Sequence, residues 1–488
     1  MAAEDTLYLQ VAETLGALIR SEVLARGERL PSLRETARRH GVSLSTAVQA
    51  YRALEDMRLI ETRPRSGHFV AARPVRLLEP EISRPPADSR RVDIGSLAAQ
   101  VMRMAYEPGT ISFGAACPGS DLFQQERVRR AVSRAAQRHR ATLCEYPIGP
   151  GHESLRRAIA RYALRLDCQL QPRDIVTTHS CLEAITLCLR AVTQPGDVVA
   201  LESPTYFGFL EILQSLHLRA LEIPTHPRNG LSLDALQLAF DTQPVKAVLS
   251  VPTLSNPLGA CMPLPERRRL AQMVAAHGIP LIEDVLYNDL AEQDDRRRAV
   301  RSFDSSGHVM ICGSFSKTIA PGIRLGWVDA GRWSEPVRRM KAATSGGQTT
   351  LLELAMADLL TQTGHESANR QLRRTVAARV DEARSLIAQS FPKGTRVTDP
   401  AGGFILWVEL PPPIDSQALF HACLAEHICI APGTMFSATD RYRHCIRLGV
   451  GGRWDDAQRN GLRRVGAIAA QMLTPAATAQ AAAATLPA

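Results

Sequence analysis

Lysine is nearly absent from this chain of 488 residues: Lys246, Lys317, Lys341 and Lys393 are the only four among 58 basic side chains. The bias toward arginine reflects codon usage. Arginine cannot act as a primary amine, however, so any amine chemistry must fall on one of those four residues. No stretch approaches the ~20 uninterrupted apolar residues of a membrane span. The first ten residues, with Glu4 and Asp5, lack the basic-then-apolar order of a secretion signal, so a cytoplasmic chain with no membrane association is expected. The ten cysteines include no CxxC pair. They read as small buried hydrophobes of a reducing compartment rather than a disulfide framework, and no metal site is expected.

What is present suits a globular protein of two or three domains, with 45% hydrophobic residues and a net charge of +9. Charge alone says little, but its location says more. Between Arg29 and Arg73 stand nine arginines against Glu35, Glu55, Asp56 and Glu61, which favours an anionic partner for this segment.

Apolar residues recur at helical spacing from Thr6 to Leu24 (Leu7, Val11, Leu15, Leu18) until Gly27 and Pro31 break the pattern. Ser32 then caps a short helix through His40, and Gly41 makes a turn. Ser43 caps a third helix that buries Ala47, Ala50, Tyr51 and Leu54 and presents Ser45, Val48, Gln49 and Arg52. Two extended runs, Leu59 to Thr62 and His68 to Ala71, flank the basic turn Arg63-Pro64-Arg65-Ser66-Gly67. Three helices followed by a basic hairpin describe a winged helix-turn-helix over residues 1–71, with the third helix suited to the major groove and Arg65 and Gly67 at the wing tip. Residues 72–93, with Pro74, Pro80, Pro85 and Pro86 among arginines, read as an extended tether without a core. Residues 474–488, almost all Ala, Thr, Gln and Pro, read as a disordered tail.

Between them, short apolar runs alternate with helical patterns: Ile175-Val176, Val198 to Leu201, Ala247 to Val251, Ile279 to Ile282 and Val309 to Cys312. Continuous apolar strands separated by helices imply an α/β body with a mainly parallel sheet covered on both faces. Ligands of such sheets gather at the carboxyl ends of the strands. There the unusual polar residues fall: Ser180-Cys181, Asn256-Pro257, Glu283-Asp284 with Tyr287, and Ser314-Phe315-Ser316-Lys317 with Arg324. Singly, each has a structural explanation as a turn, a cap or a polar loop. Together they are the set that pyridoxal phosphate requires. Lys317 supplies the amine for a Schiff base, and Asp284 the carboxylate that keeps the ring nitrogen protonated. Asn256 and Tyr287 donate to the phenolate, while Ser314, Ser316, Arg324 and the Ser180-Cys181 helix start hold the phosphate. Tyr206 either stacks on the ring or belongs to the core.

Residues 7–71, through "RLPSLR" and "GVSLSTAVQAYRALE", resemble the GntR family. The resemblance implies DNA contacts from Arg34, Ser43, Ser45, Thr46 and the wing, with Gln49 on the same exposed face. Leu44 and Val48 depart from relatives that carry arginines there. Residues 95–472, through "SNPLG", "IEDVLY" and "SFSKTIAPGIRLGW", resemble fold-type I aminotransferases, and the fusion resembles the MocR subfamily of GntR regulators. That implies a large domain over 94–385 that binds pyridoxal phosphate, and a smaller C-terminal α+β domain over 386–473. It also implies a homodimer in which Tyr146 nears the partner's phosphate, and a substrate carboxylate on Arg447. Ser180 replaces a glycine common in the family's phosphate turn.

The expected function is transcription regulation at a double-stranded DNA operator, with a small amine or amino acid sensed by the aminotransferase-like body. The alternative is a working aminotransferase with an accessory DNA-binding domain. Lys317, Asp284 and Arg447 serve either, so residual transaminase activity stays open.

Overall fold

The computed structural model describes all residues except 1, 22, 25–27, 58, 64–66, 72–76, 94, 363 and 474–488. The chain divides into two compact units, Met1–Arg76 and Leu77–Ala488.

In the first unit, α1 (Ala2–Arg20), α2 (Leu33–His40) and α3 (Leu44–Asp56) precede an antiparallel hairpin of β1 (Ile60–Arg63) and β2 (Gly67–Val70). The boundaries follow local chemistry. Ser32 accepts a hydrogen bond from the Glu35 N–H, Gly41 closes α2 at φ +64°, and Ser43 accepts from the Thr46 N–H at the start of α3. Val11, Leu15 and Ile19 of α1 meet Ala50, Tyr51 and Leu54 of α3 with Ile60 and Val70 of the hairpin. The stripe expected on α1 is rotated: Leu7 and Leu18 stay exposed, and Ala12 and Ile19 are buried in their place. The Tyr51 hydroxyl donates to Pro31 O (2.7 Å) and pairs with Thr36 Oγ1 (2.8 Å), fastening α2 to α3.

The second unit is built on β3 (Arg90–Arg91), β4 (Ile175–Thr178), β5 (Val198–Ser203), β6 (Arg219–His226), β7 (Val245–Ser250), β8 (Leu281–Asp284), β9 (Val309–Ser314) and β10 (Gly326–Asp329). Their order across the sheet is β3-β6-β5-β7-β8-β9-β10-β4, and Gly230–Leu231 adds a short strand beside β6. From β6 to β9 neighbours are parallel; β10 is antiparallel to both β9 and β4. Apolar clusters cover both faces, as continuous hydrophobic strands require.

The tether expected over 72–93 is corrected for its greater part. Residues 77–93 lie along the body: the Val397 N–H donates to Leu78 O, the Thr225 N–H to Ser83 Oγ, and Arg219 to Ser89 O, while β3 pairs with β6. Prolines and arginines made this segment extended, and the open edge of β6 gave its backbone groups partners. Residues 72–76 and 474–488 lie outside the described residues.

The smaller lobe contains an antiparallel sheet in the order Arg396–Val397, Ile405–Glu409, Cys445–Gly449, Ala431–Pro432. Two features depart from the expected boundaries. One helix, His365–Ser390, runs straight across residue 385. Residues assigned by position to the large domain, Ala98, Val101, Ala105 and Phe113, pack in the core of the small lobe, where Ile111–Ser112 pairs with Ile428–Cys429.

Candidate functional site: a cofactor pocket and a DNA-facing helix

At the carboxyl ends of β7, β8 and β9 lies a cavity of about 170 Å³. Eleven residues singled out from the sequence line it: Ser180, Cys181, Tyr206, Asn256, Asp284, Tyr287, Ser314, Ser316, Lys317, Arg324 and Arg447. The sheet explains their meeting. Gly326 on β10 stands opposite both Ser314 and Thr178, which draws the Ser-x-Ser-Lys loop and the 178–181 turn together. A Cβ on Gly326 would lie 2.5 Å from the Ser180 carbonyl carbon, so only glycine lets the strand approach this closely.

Ser180 itself has extended backbone (φ −168°, ψ 169°), a conformation open to any residue, so its replacement of a family glycine disturbs nothing. Its hydroxyl accepts from the Glu183 N–H and starts the helix α4 (Cys181–Val192). Ser180, Cys181 and Leu182 at this helix start line the cavity, where a helix N-terminus carries partial positive charge.

Asp284 ends β8 and is 5% exposed. Its Oδ1 accepts from the Leu286 N–H (2.8 Å) and from the Cys181 thiol (3.2 Å). Burial pushes the carboxyl up to about 6, against these two donors and the nearby Lys317 charge. A cationic group placed against the carboxylate would lower it again. Asn256 lines the cavity and is 6% exposed, and its buried Oδ1 has no hydrogen-bond partner. Tyr287 is buried, and burial holds its phenol well above the ordinary range.

Ser314 donates to Leu325 O (2.8 Å) and lies 2.9 Å from Ser316 Oγ, so Ser316 and the exposed Arg324 are the freer donors. Tyr206 lines the cavity and packs edge-on against Phe209, as a core aromatic does.

Arg447 lies on the strand Cys445–Gly449 and is 1% exposed. It donates to Gly114 O and lies over the Phe436 ring at 5.3 Å, but its Nε has no partner and no carboxylate pairs with it among the described residues. Burial lowers the guanidinium. Tyr146 is the expected residue that does not line the cavity; it is 92% exposed on the loop before Gly149.

Sequence reasoning missed the wall supplied by Met102, Tyr106, Ala116 and Cys117. Lys317 Nζ donates to Ala116 O at 2.7 Å and to Cys117 Sγ at 3.2 Å. These contacts span about two hundred residues, and no local pattern announces them.

On the helix-turn-helix, Arg34, Leu44, Ser45, Gln49 and Arg52 are exposed. Two of the expected contacts are otherwise engaged. Thr46 is 5% exposed with its hydroxyl 2.7 Å from Ser43 Oγ, and the Ser43 hydroxyl is occupied in capping α3. Gly67 has φ +104° and lies against the Arg29 guanidinium, so it shapes the wing by its backbone. Arg65 lies outside the described residues.

A winged helix-turn-helix joined to a fold-type I aminotransferase body defines a DNA-binding regulator built on a scaffold whose class depends on pyridoxal phosphate. Residues 7–70 match the bacterial regulatory proteins of the gntR family, and residues 117–464 match aminotransferase class I and II. A relative from Escherichia coli (strain K12), the HTH-type transcriptional regulator YjiR, is 34% identical over 94% of this chain and 98% of its own length. The probable rhizopine catabolism regulatory protein MocR of Rhizobium meliloti is 26% identical over 88% of this chain and 87% of that one. Among solved structures, the α-aminoadipate aminotransferase LysN of Thermus thermophilus, complexed with N-(5'-phosphopyridoxyl)-L-leucine, superposes with a TM-score of 0.72. It is 26% identical and covers 78% of this chain and 96% of that one. The chain belongs to the MocR subfamily of GntR transcription regulators. Among the described residues, no helix is long and apolar enough to cross a membrane.

Proposed function

We propose that the body carries pyridoxal phosphate on Lys317 and binds a small amino acid whose carboxylate pairs with Arg447, and that this binding sets the affinity of a cytoplasmic homodimer for its operator. The observation that carries the reading is Arg447. A guanidinium buried without a counter-ion is costly unless a ligand supplies the anion. It opens into the same cavity as the only lysine of the site.

The residues fit the cofactor. The α4 start, Ser316 and Arg324 provide donors for a phosphate, Asp284 a carboxylate for a ring nitrogen, and Asn256 with Tyr287 polar groups for a phenolate. When bound, the group supplies an aldehyde that condenses with primary amines and a ring that withdraws electrons. Lys317 provides the amine that holds it, and Asp284 keeps a proton on the ring nitrogen by staying ionised beside it. Cys181 and the Leu286 N–H orient that carboxylate, and Arg447 fixes the ligand's carboxyl end. In an assembled dimer, Tyr146 reaches the partner's phosphate, consistent with its exposure in the single chain. Arg34, Ser45 and Gln49 face the DNA.

Gel shift with the upstream intergenic DNA, with and without candidate amino acids, tests the reading together with visible absorbance of the cofactor. The parent protein is expected to be yellow, to bind the DNA, and to change affinity with an amino acid. Lys317→Ala should lose the colour and the response while still binding DNA. An unchanged spectrum in Lys317→Ala overturns the assignment, and release of a keto acid under turnover would make the protein an enzyme.

A further inference from the structure

Cys117 is a cavity residue to which the cofactor reading gives no work. Its Sγ accepts a hydrogen bond from Lys317 Nζ at 3.2 Å, and it shares the cavity wall with Tyr106 and with Arg447, whose Nε has no partner. No carboxylate pairs with Lys317 among the described residues, and its other hydrogen bond goes to a neutral carbonyl, Ala116 O. The sulfur is thus the one group in contact with that amine able to take up a negative charge.

We propose that Cys117 and Lys317 form a thiolate–ammonium pair in the cofactor-free chain, in which Cys117 Sγ accepts the proton that Lys317 Nζ must lose before it acts as a nucleophile. The transfer balances: the N–H bond breaks, an S–H bond forms, the ammonium becomes a neutral amine, and the thiolate becomes a thiol. The pair also makes Cys117 a modification site for small electrophiles that enter the pocket, because the thiolate is the reactive form.

The charges around the sulfur support this. Burial works to raise the thiol, but Lys317, a hydrogen bond with Tyr106 and the charge of Arg447 outweigh it, so the thiol sits below its ordinary range. The other titratable groups facing it, Tyr206 and Tyr287, have phenols pushed up by burial and stay neutral. Asp284, the carboxyl of the cavity that feels the Lys317 charge, has its Oδ1 occupied by Leu286 and Cys181.

The cysteine inventory provides an internal reference. Cys117 is partly exposed, Cys144 is exposed, and the other eight cysteines are buried. Alkylation by iodoacetamide, followed peptide by peptide by mass spectrometry across pH in the full-length cofactor-free chain, therefore reads two sites at once. The S–C bond forms as iodide leaves. Cys117 should reach half its maximal rate at a lower pH than Cys144. Lys317→Ala should raise that midpoint by about one pH unit, a tenfold change in thiolate fraction at fixed pH, and leave Cys144 where it was. Labelling of the buried cysteines in Lys317→Ala would mark unfolding, and Lys317→Met, which keeps the aliphatic stem, then replaces it under the same criterion. Coincident midpoints for Cys117 and Cys144, or a Cys117 midpoint indifferent to the loss of Lys317, overturn the proposal. Protection of Cys117 by added pyridoxal phosphate rests on the function proposed above. Failure of protection alone, with the pH midpoints as expected, would count against that function and not against the pair.

Discussion

Two buried ionisable side chains give this pocket opposite demands. Arg447 is buried without a counter-ion among the described residues, so its replacement by methionine removes a desolvation cost while keeping a similar length. The stability of Arg447→Met should stay level or rise by about 1–4 kcal/mol. Preference for an amino acid over the corresponding amine without a carboxylate should vanish, as measured by titrating the cofactor spectrum with both. Equal losses of affinity for both ligands would remove the carboxylate assignment. Asp284 carries the pH dependence. Its carboxyl moves from 3.8 to about 6 on folding, so in the cofactor-free chain its contribution to stability is full below pH 3.8 and is lost as pH rises through 6. Asp284→Asn has no charge to bury. The cofactor-free variant should exceed the parent by up to about 3 kcal/mol near pH 8 and converge with it near pH 4, since each tenfold change in proton affinity is worth about 1.36 kcal/mol. Once the cofactor is bound the order should invert, because a neutral amide cannot hold the ring's proton. Thermal denaturation at both pH values, with and without pyridoxal phosphate, checks the sign.

At the scale of elements, the phosphate turn depends on how closely β10 passes the start of α4. Gly326→Ala sets a methyl group against the Ser180 backbone. Overpacking of this kind costs about 1–3 kcal/mol and should displace the helix start proposed to hold the phosphate. Affinity for pyridoxal phosphate should fall while affinity for pyridoxal, which lacks the phosphate, changes little. Equal effects on the two would separate Gly326 from the phosphate turn. The segment 77–93 makes a second case. Composition marked it as extended, but an extended chain is a tether or an edge strand depending on whether a sheet edge lies beside it, and that edge is β6, more than a hundred residues away. A chain beginning at residue 77 should load cofactor with the stability of the parent's body. One beginning at residue 94 loses the β6 pairing and the Arg219–Ser89 and Thr225–Ser83 bonds, and should denature at lower temperature.

For the whole molecule, the proposed ligand sensing requires that DNA binding and ligand binding be linked through one free energy. An amino acid changes operator affinity only by its differential affinity for the two states, commonly ~1–3 kcal/mol, and operator DNA must change the amino acid's affinity by the same factor. Titrating the cofactor spectrum with amino acid, with and without operator, measures this; identical curves would mean that the sites are uncoupled or that the ligand is not the effector. Operator affinity should fall steeply with salt, since arginines of the head neutralise phosphates. Removing residues 1–76 should abolish the gel shift and leave the colour.

Sequence by itself determined the order of elements and most of the site's membership. Caps at Ser32, Ser43 and Ser180 act within four residues, apolar runs declare buried strands, and polar residues after such runs must collect at one sheet edge. Rarity pointed to Lys317. Tertiary structure alone decided which groups are spent and which are free. It turned Thr46 into the core, bound Ser314 to Leu325, left Arg447 and Asn256 with unpartnered buried atoms, and brought Cys117 to Lys317. Capping and periodicity are short-range and written in neighbouring residues, whereas a hydrogen bond between atoms two hundred residues apart exists only once packing has fixed both in space.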